Sequence, residues 1–305
     1  MMERRLMPLQ RKRRWLQILA TLGFNLDIPS LFKGQISQVK SKGICLPVLN
    51  CYSCPAAIGA CPIGSLQNAF DSLKYNLSLG QKKLGLYVAG SLGLIGVIGG
   101  RLPCGWLCPF GFLQELVYKI PIRKLRIPAF LTYLRYLILL VLVVLLPLLI
   151  VDNLGLGSPW FCQWVCPAGT LEAGLVLAII NPGVRSQLGF LFAWKMGLLV
   201  LFLVWMAFSE RPFCRTICPL GTILGFFNKI SAFEIRVDLS HCLRCNACQR
   251  DCPVDIRIYE NTASSRCIRC LKCQKVCPTS CISSGFWLGE SSCGETKTET
   301  TAEAK

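Results

Sequence analysis

Long apolar stretches separated by short basic segments dominate the chain up to residue 230. A hydrocarbon layer of about 30 Å needs roughly 20 apolar residues in helical form. Four stretches approach that length and are predicted membrane spans: residues 15–32, 84–100, 137–151 (extended upstream through Tyr133) and 188–208. Asn25, Asp27 and Pro29 interrupt the first, and a secretory signal is its alternative because a basic segment precedes it. We favour an uncleaved span.

A repeated Cys-Pro motif marks the shorter apolar runs between these spans. The pattern Cys-x3-Cys-Pro-x-Gly occurs at residues 104–111, 162–169 and 214–221, and a relative occurs at residues 51–64. A short apolar run follows each copy, which predicts half-helices that enter the membrane without crossing it. Such segments are tolerated only where protein buries their free backbone groups. The alternation of spans and like motifs suggests two similar halves.

The character of the sequence changes at residue 231, where the apolar runs stop and closely spaced cysteines follow. We predict four segments: a basic cytoplasmic N-terminus (1–14), a membrane domain with the Cys-x3-Cys-Pro repeats (15–230), a two-cluster ferredoxin domain (231–285) and a disordered tail (286–305). The predicted fold class is a membrane all-α protein with about four transmembrane helices, short re-entrant half-helices and a small α+β C-terminal domain.

Composition and charge support a membrane protein. Hydrophobic types make up 53% of the 305 residues against 16% charged, and the net charge is +17. Basic residues flank the apolar stretches, as residues 11–14 do before Trp15, which indicates membrane topology and not nucleic-acid binding. This bias predicts a multi-pass protein of the cell (inner) membrane with a cytoplasmic N-terminus and C-terminal domain, although six lysines in residues 33–83 run against it. Membrane lipid is an expected partner.

Two copies of the motif Cys-x2-Cys-x2-Cys-x3-Cys-Pro occupy residues 242–253 and 267–278. In such runs the first three thiolates bind one 4Fe-4S cluster, and the fourth binds the other. The expected ligand sets are Cys242, Cys245 and Cys248 with Cys277, and Cys267, Cys270 and Cys273 with Cys252. Zinc knuckles or disulfides are the alternatives. The segment resembles a bacterial-type two-cluster ferredoxin domain.

The other motif cysteines sort by predicted side of the membrane. The inner set supplies four thiolates, enough for one cluster: Cys104, Cys108, Cys214 and Cys218. The outer set contains Cys45, Cys51, Cys54, Cys61, Cys162 and Cys166. We expect one or two further iron–sulfur clusters in the membrane domain; outer disulfides and buried inert inner thiols are the alternatives. Sites at opposite faces would be separated by about 30 Å of hydrocarbon unless the half-helices sink them inward.

Several single residues are interpreted without a cofactor role. Cys281 fits no motif and is treated as a bystander. Trp106 and Trp164 share a place in two repeats and are predicted interface anchors. For Glu172, near the outer pair, proton transfer and capping of a half-helix both stay open. Lys195 is expected near a span end or facing a cavity.

Taken together, the motifs resemble the polyferredoxin-like membrane proteins that include NapH of periplasmic nitrate reduction, the membrane part of NosR and the copper-supply protein CcoG. The likeness rests on Arg101-x2-Cys104-x-Trp106-x-Cys108-Pro109, on Cys214-x3-Cys218-Pro219 and on the two ferredoxin motifs. It implies about four spans, cytoplasmic clusters, and electron transfer coupled to quinol or to a partner reductase. The outer cysteines depart from that pattern, so the resemblance does not imply a role specific to nitrate or nitrous oxide.

The predicted function is that of an electron-transfer component and not of a stand-alone enzyme. A cytoplasmic donor would feed the ferredoxin clusters, which pass electrons to the inner site and then to a quinone or a trans-membrane acceptor. One alternative is a metal-reducing or cofactor-maturation factor. Another is a cluster-bearing anchor subunit of a reductase complex. A redox partner protein is expected, and the sequence shows no machinery for hydrolysis.

Overall fold

The computed structural model describes residues 3–73, 85–152 and 157–286. These residues are mostly helical, and their two strands pair in a single antiparallel sheet. The predicted predominance of helix is confirmed. The predicted tail, from residue 287 onwards, lies outside the described residues.

The first part of the chain packs an amino-terminal helix against a set of shorter ones. Polar side chains lie on the buried face of this first helix: Arg13 and Gln17 both donate to the carbonyl oxygen of Gly105, at 3.2 and 3.1 Å. The helix therefore lies against protein along that face. The helices are α1 (Glu3–Gly23), α2 (Ile28–Phe32), α3 (Pro62–Asp71), α4 (Leu86–Gly99), α5 (Leu102–Trp106) and α6 (Pro109–Val117).

Two long apolar helices dominate the next part of the chain. The helices here are α7 (Ala129–Leu149), α8 (Trp160–Trp164), α9 (Pro167–Ile180), α10 (Pro182–Arg185), α11 (Phe190–Phe208), α12 (Pro212–Thr216) and α13 (Pro219–Phe226). A π-helical segment, Leu139–Leu145, widens α7. Pro147 follows that segment and cannot donate a backbone hydrogen bond to the preceding turn, which accounts for a widened helix there.

Four of the seven Cys-Pro pairs begin a helix. Cys61, Cys108, Cys166 and Cys218 occupy the position just before α3, α6, α9 and α13, and the following proline is the first helical residue. Proline suits that position because its fixed φ matches the helix and its missing N–H has no partner there. Short helices α5, α8 and α12 carry the first cysteine of three repeats. The motif is thus a pair of helices joined at a cysteine.

Two of the four predicted spans are not confirmed by the helices of the structure. Only α7 and α11, among the described residues, are long and apolar enough to cross a membrane. The prediction of one span over residues 15–32 is wrong, because α1 starts at Glu3 and ends at Gly23. The stretch at 84–100 forms α4, whose 14 residues rise only about 21 Å at 1.5 Å per residue. The span expected at 137–151 begins earlier, at Ala129.

The carboxy-terminal domain is built on a two-stranded sheet. Strands β1 (Phe233–Val237) and β2 (Ile282–Phe286) pair so that Phe233 faces Phe286 and Val237 faces Ile282. Between them lie both ferredoxin motifs and the short helices α14 (Ala247–Arg250) and α15 (Lys272–Val276). Leu102 and Trp106 of α5 pack against the apolar core of this domain. The domain therefore rests on the helix that carries Cys104.

Candidate metal sites

Two groups of four cysteines lie in the carboxy-terminal domain. A cavity of about 20 Å³ is lined by the cysteines that we name site I: Cys242, Cys245, Cys248 and Cys277. A second cavity of about 20 Å³ is lined by the cysteines of site II: Cys252, Cys267, Cys270 and Cys273. Each group joins three cysteines of one motif to the last cysteine of the other. The structure therefore brings together the same sets that the spacing predicts.

The two ferredoxin motifs share an unusual backbone. Left-handed conformations occur at matching places: Arg244 and Arg269 have φ of 48° and 52°, and Asn246 and Leu271 have φ of 57° and 58°. Such φ values are costly for residues other than glycine and persist where the surrounding structure requires them. Here they turn successive cysteines toward the same cavity.

Cys281, which the sequence analysis treats as a bystander, lies beside site I. Its Sγ is 3.4 Å from Sγ of Cys277, and its side chain lines the site I cavity. Ser280, with φ of 53°, turns the chain back between them. Sequence reasoning missed this thiol because it stands outside the motif.

The four inner cysteines converge between α5, α6, α12 and α13. We name this group site III: Cys104, Cys108, Cys214 and Cys218, all of which are buried. Burial raises the pKa of the Cys108 and Cys218 thiols, and the charges of Cys214 and Cys104 raise it further. Repulsion of this kind acts between close neighbours. The two repeats therefore meet at their cysteines.

Hydrogen-bond donors point at the sulfur atoms of site III. In both repeats the N–H of the motif glycine donates to the sulfur of the cysteine before proline, at 3.4 Å for Gly111 and 3.3 Å for Gly221. Gln114 Nε2 donates to Cys214 Sγ at 3.0 Å. Donors of this kind favour the anionic form of an acceptor. These hydrogen-bond donors therefore favour the thiolate form of the site III cysteines.

Two arginines connect the repeats, because each one hydrogen-bonds the opposite repeat. Arg101, which opens one repeat, donates from Nη2 to the carbonyl oxygen of Cys214 at 3.1 Å. Arg211, which opens the other, donates from Nη1 to the carbonyl oxygen of Cys104 at 2.7 Å. Each arginine therefore holds the first cysteine of the opposite repeat. The Arg-x2-Cys spacing, noted at Arg101 from the sequence, recurs at Arg211.

The motif glycines leave room for these arginines. A Cβ on Gly221 would lie 2.5 Å from Nη2 of Arg101. A Cβ on Gly111 would lie 3.2 Å from the carbonyl oxygen of Cys104 and 3.3 Å from Nη1 of Arg211. The glycine of Cys-Pro-x-Gly thus serves the packing of site III as well as the helix start.

A buried carboxylate joins site III to the first helix. Glu115 Oε1 lies 2.7 Å from Nη2 of Arg211, and its Oε2 lies 2.8 Å from Nη2 of Arg13. Burial by itself would raise the pKa of Glu115, but the Arg211 and Arg13 charges lower it to about 2. The carboxylate therefore stays ionised and is shared by two buried guanidinium groups.

The outer cysteines supply a second membrane-domain group. A cavity of about 650 Å³ is lined by the cysteines that we name site IV: Cys51, Cys61, Cys162 and Cys166. Burial raises the pKa of Cys61 to about 12, and the Cys166 charge contributes to that rise. A Cβ on Gly169 would lie 3.5 Å from Sγ of Cys51. Three separate parts of the chain thus deliver four thiols to one cavity.

Two of the six outer cysteines stand apart from this group. Neither Cys45 nor Cys54 lines the site IV cavity. The Cys54 thiol instead lies 3.8 Å from the side-chain oxygen of Asn25, and Cys45 pairs with Ala60 in a β-bridge. Of the three expected ligands Cys51, Cys54 and Cys61, the structure therefore brings Cys51 and Cys61 to the cavity and places Cys54 outside it.

Charged side chains support the loops of site IV. Glu172 accepts a hydrogen bond at 2.6 Å from the backbone N–H of Cys51, and so it holds the outer loop instead of capping its own helix. Lys195 lines the cavity, which was one of the two positions expected for it. It donates to the carbonyl oxygen of Cys162 at 3.2 Å. One cation and one carboxyl group thus hold the loops of site IV, and burial raises the pKa of Glu172 to about 7.

The two tryptophans of the repeats make protein contacts. Trp106 Nε1 donates to the carbonyl oxygen of Arg269 at 2.9 Å, which fixes α5 to the carboxy-terminal domain. Trp164 stacks on Trp160, and its carbonyl oxygen accepts from Trp194 Nε1 at 3.2 Å. The interpretation of Trp106 as an interface anchor is corrected, since its polar atom is used between domains.

Adjacent sites touch one another through the ferredoxin domain and α5. Cys248 lines both the site I and the site II cavities. Gly105, next to Cys104, has no room for a Cβ because the carbonyl oxygen of Ile268 lies against it. Arg101 Nη1 donates to the carbonyl oxygens of Ser265 and Arg266, the residues just before Cys267. Sites I, II and III therefore lie next to one another in that spatial order.

Three consecutive residues connect site III to site IV. Leu49 belongs to the same buried apolar core as Cys104 and Cys108 of site III, and both Leu49 and Asn50 line the site IV cavity. The next residue is Cys51 itself. Cysteines of both sites also belong to one apolar core. Sites III and IV are thus neighbours.

The donor sets of sites III and IV fit an iron–sulfur cluster. No disulfide joins the cysteines of the described residues, and nowhere in that part of the chain do three His, Cys, Asp or Glu side chains gather around one ion position. A cluster takes one thiolate per iron and spaces its ligands more widely than a single tetrahedral ion does. Arg101, buried among backbone carbonyls, adds a positive charge that an anionic cluster would balance.

Comparisons with known proteins agree with these sites. Residues 84–128, 134–176 and 190–237 match a family described as a 4Fe-4S binding domain, and residues 234–278 match a 4Fe-4S dicluster domain. Protein MJ0749 of Methanocaldococcus jannaschii is 30% identical over 167 residues, 55% of this chain and 57% of that protein. Regulatory protein NosR of Pseudomonas aeruginosa is 29% identical over 186 residues, 61% of this chain and 24% of NosR. No solved structure matches this chain.

The sites and the family matches define an iron–sulfur protein of the 4Fe-4S ferredoxin type. Ferredoxin-type protein NapH of Haemophilus influenzae is 28% identical over 163 residues, 52% of this chain and 49% of NapH. The chain is similar to the NapH- and NosR-like ferredoxin-type proteins, and the resemblance expected from the motifs is confirmed. It spans only about half the length of NapH and of MJ0749.

Proposed function

We propose that this protein is a membrane-bound electron carrier whose four cysteine sites form one continuous row. The observation that carries the proposal is the unbroken series of contacts from site I to site IV. Cys248 lines the cavities of the first two sites, Arg101 binds backbone beside the next two, and Leu49 packs in the core of site III and lines site IV. A 4Fe-4S cluster bound at each site would supply one-electron transfer.

The surfaces of α7 and α11 support a membrane location. Both helices are strongly apolar, and most of their surface is not covered by the rest of the protein. Large side chains such as Leu137, Leu140, Leu201 and Val204 are exposed, and an apolar area of this kind is stable against lipid. From the Lys/Arg bias of the sequence, we propose that sites I and II lie on the cytoplasmic side of a multi-pass protein of the cell membrane.

The large cavity at site IV is the proposed place of exchange with a small redox molecule. Its volume of about 650 Å³ lies within the usual range of about 300–1,000 Å³ for small-molecule sites. Beyond the cysteines its wall includes Leu177, Leu188 and Phe192. We propose that an apolar carrier such as a quinone exchanges electrons here. At the other end Cys245 is exposed, and a cytoplasmic redox partner protein or reductase complex would exchange electrons at site I.

The proposal is tested by counting iron. After anaerobic purification in detergent, four loaded sites would give about sixteen irons and sixteen acid-labile sulfides per chain. Cys104→Ser and Cys51→Ser should each remove about four irons. Cys54→Ser is the matched control, because its thiol lies outside site IV, and it should remove none. A wild-type content of about eight irons would mean that only sites I and II hold clusters, and it would contradict the proposal of four cluster sites.

A second measurement separates a carrier from a cluster-bearing anchor. Single-turnover reduction of a quinone analogue by dithionite-reduced protein is followed by stopped-flow absorbance. In a carrier, Cys104→Ser should slow quinone reduction while the carboxy-terminal domain keeps its own clusters. Unchanged turnover in that variant would show that electrons do not pass through site III.

A further inference from the structure

Arg101 is a buried cation without an acidic partner among the described residues. It is 1% exposed, and its three hydrogen bonds go to backbone carbonyl oxygens, those of Ser265, Arg266 and Cys214, at 3.0–3.2 Å. Taking an uncompensated charge out of water carries a large free-energy cost. A fold that keeps such a charge next to four thiols places it where negative charge is expected.

The charges around site III do not cancel. Arg13 and Arg211 share the single carboxylate of Glu115. With Arg101 added, three buried guanidinium groups face one carboxylate, so the surroundings carry an excess of two positive charges. At site IV, by contrast, two cations, Lys42 and Lys195, and one carboxyl group, Glu172, hold the loops. The two neighbouring sites thus have the same four-thiol donor set in different electrostatic surroundings.

We propose that Arg101 is a positioning residue that raises the reduction potential of site III above that of site IV, so that electrons collect at site III. This inference rests on the proposed function. A cluster with four thiolates is anionic, and its negative charge grows by one when it accepts an electron. A fixed positive charge therefore stabilises the reduced state more than the oxidised one. The low dielectric of a buried site strengthens that preference.

The same arginine keeps sites II and III together. Its Nη1 binds the carbonyl oxygens just before Cys267 of site II, and its Nη2 binds the carbonyl oxygen of Cys214 of site III. Removing the charge should therefore also lower the potential of site II, by less than that of site III. Sites I and IV, which Arg101 does not contact, should keep their potentials.

The test is an EPR-monitored redox titration of the anaerobically purified full chain. Arg101→Gln keeps a hydrogen-bonding side chain and removes the charge. It should weaken reduction of site III at least tenfold, which corresponds to about 59 mV for a one-electron couple. Arg101→Lys, which retains the charge, should restore most of the potential. The signal of site III is identified by its absence in Cys104→Ser.

A second buried arginine provides the control. Arg135 is 2% exposed and also binds Ser265, but it contacts no cysteine of site III. Arg135→Gln should leave the site III potential unchanged. An unshifted potential in Arg101→Gln with full iron content, or a wild-type site III potential below that of site IV, would overturn the inference. Absence of a site III signal in the wild type would instead refute the proposed function.

Discussion

Replacement of Glu115 by glutamine should destabilise the protein more than any exposed charge change. The substitution leaves Arg13 and Arg211, which are 1% and 0% exposed, without their shared carboxylate. Both guanidinium groups lie within 2.8 Å of it in the wild type. Glutamine keeps the size and one donor–acceptor pair, so the change isolates the charge. Arg211 also holds Cys104, and the perturbation should therefore reach site III.

Two routes give a consistent magnitude for this loss. The pKa of Glu115 falls from its ordinary 4.5 to about 2 in the fold, which corresponds to about 3 kcal/mol at neutral pH. Removing one partner of a buried ion pair costs about 3–5 kcal/mol by general experience. Because the folded pKa is the lower one, this stabilisation is complete above pH 4.5 and disappears as the pH falls toward 2.

The assay is reversible unfolding in mixed detergent micelles, followed by tryptophan fluorescence, together with iron retention. Glu115→Gln should lower the free energy of unfolding by about 3 kcal/mol at pH 7. Glu234→Gln is the control, because its pair with Arg236 at 3.3 Å is exposed and contributes less than about 1 kcal/mol. Equal losses in the two variants would refute the assignment of Glu115 as the shared counter-charge.

Two further substitutions test how the repeats and domains fit together. Trp106→Phe removes the 2.9 Å hydrogen bond to the Arg269 carbonyl and should cost about 1 kcal/mol, seen as faster hydrogen exchange in the carboxy-terminal domain; unchanged exchange would contradict the docking role. Gly221→Ala would place a Cβ 2.5 Å from Arg101 and should cost about four irons per chain. Gly197→Ala, with open space at its Cα, should keep them all, and equal iron in both variants would contradict the packing argument.

Local sequence patterns were enough to predict which four cysteines lie together in sites I and II. Motif spacing predicts the cysteine sets of sites I and II because the ligands lie within short turns of the chain, and the structure places those sets together. The Cys-Pro-x-Gly repeats likewise predict where helices start. Spacing alone did not separate Cys51 and Cys61 from Cys54, since that choice depends on a turn whose direction is set by packing.

Hydropathy predicted α7 and α11 well because long apolar runs need no tertiary partner to be recognised. It failed for residues 15–32, where a helix with a polar buried face packs against α5 and α6. The sequence by itself determined the family resemblance, the cysteine motifs and the two longest apolar helices. Only the tertiary structure showed that the arginine of each repeat binds the first cysteine of the other repeat, and that the four sites are neighbours. Those contacts join residues far apart in the chain, such as Arg101 and Cys214.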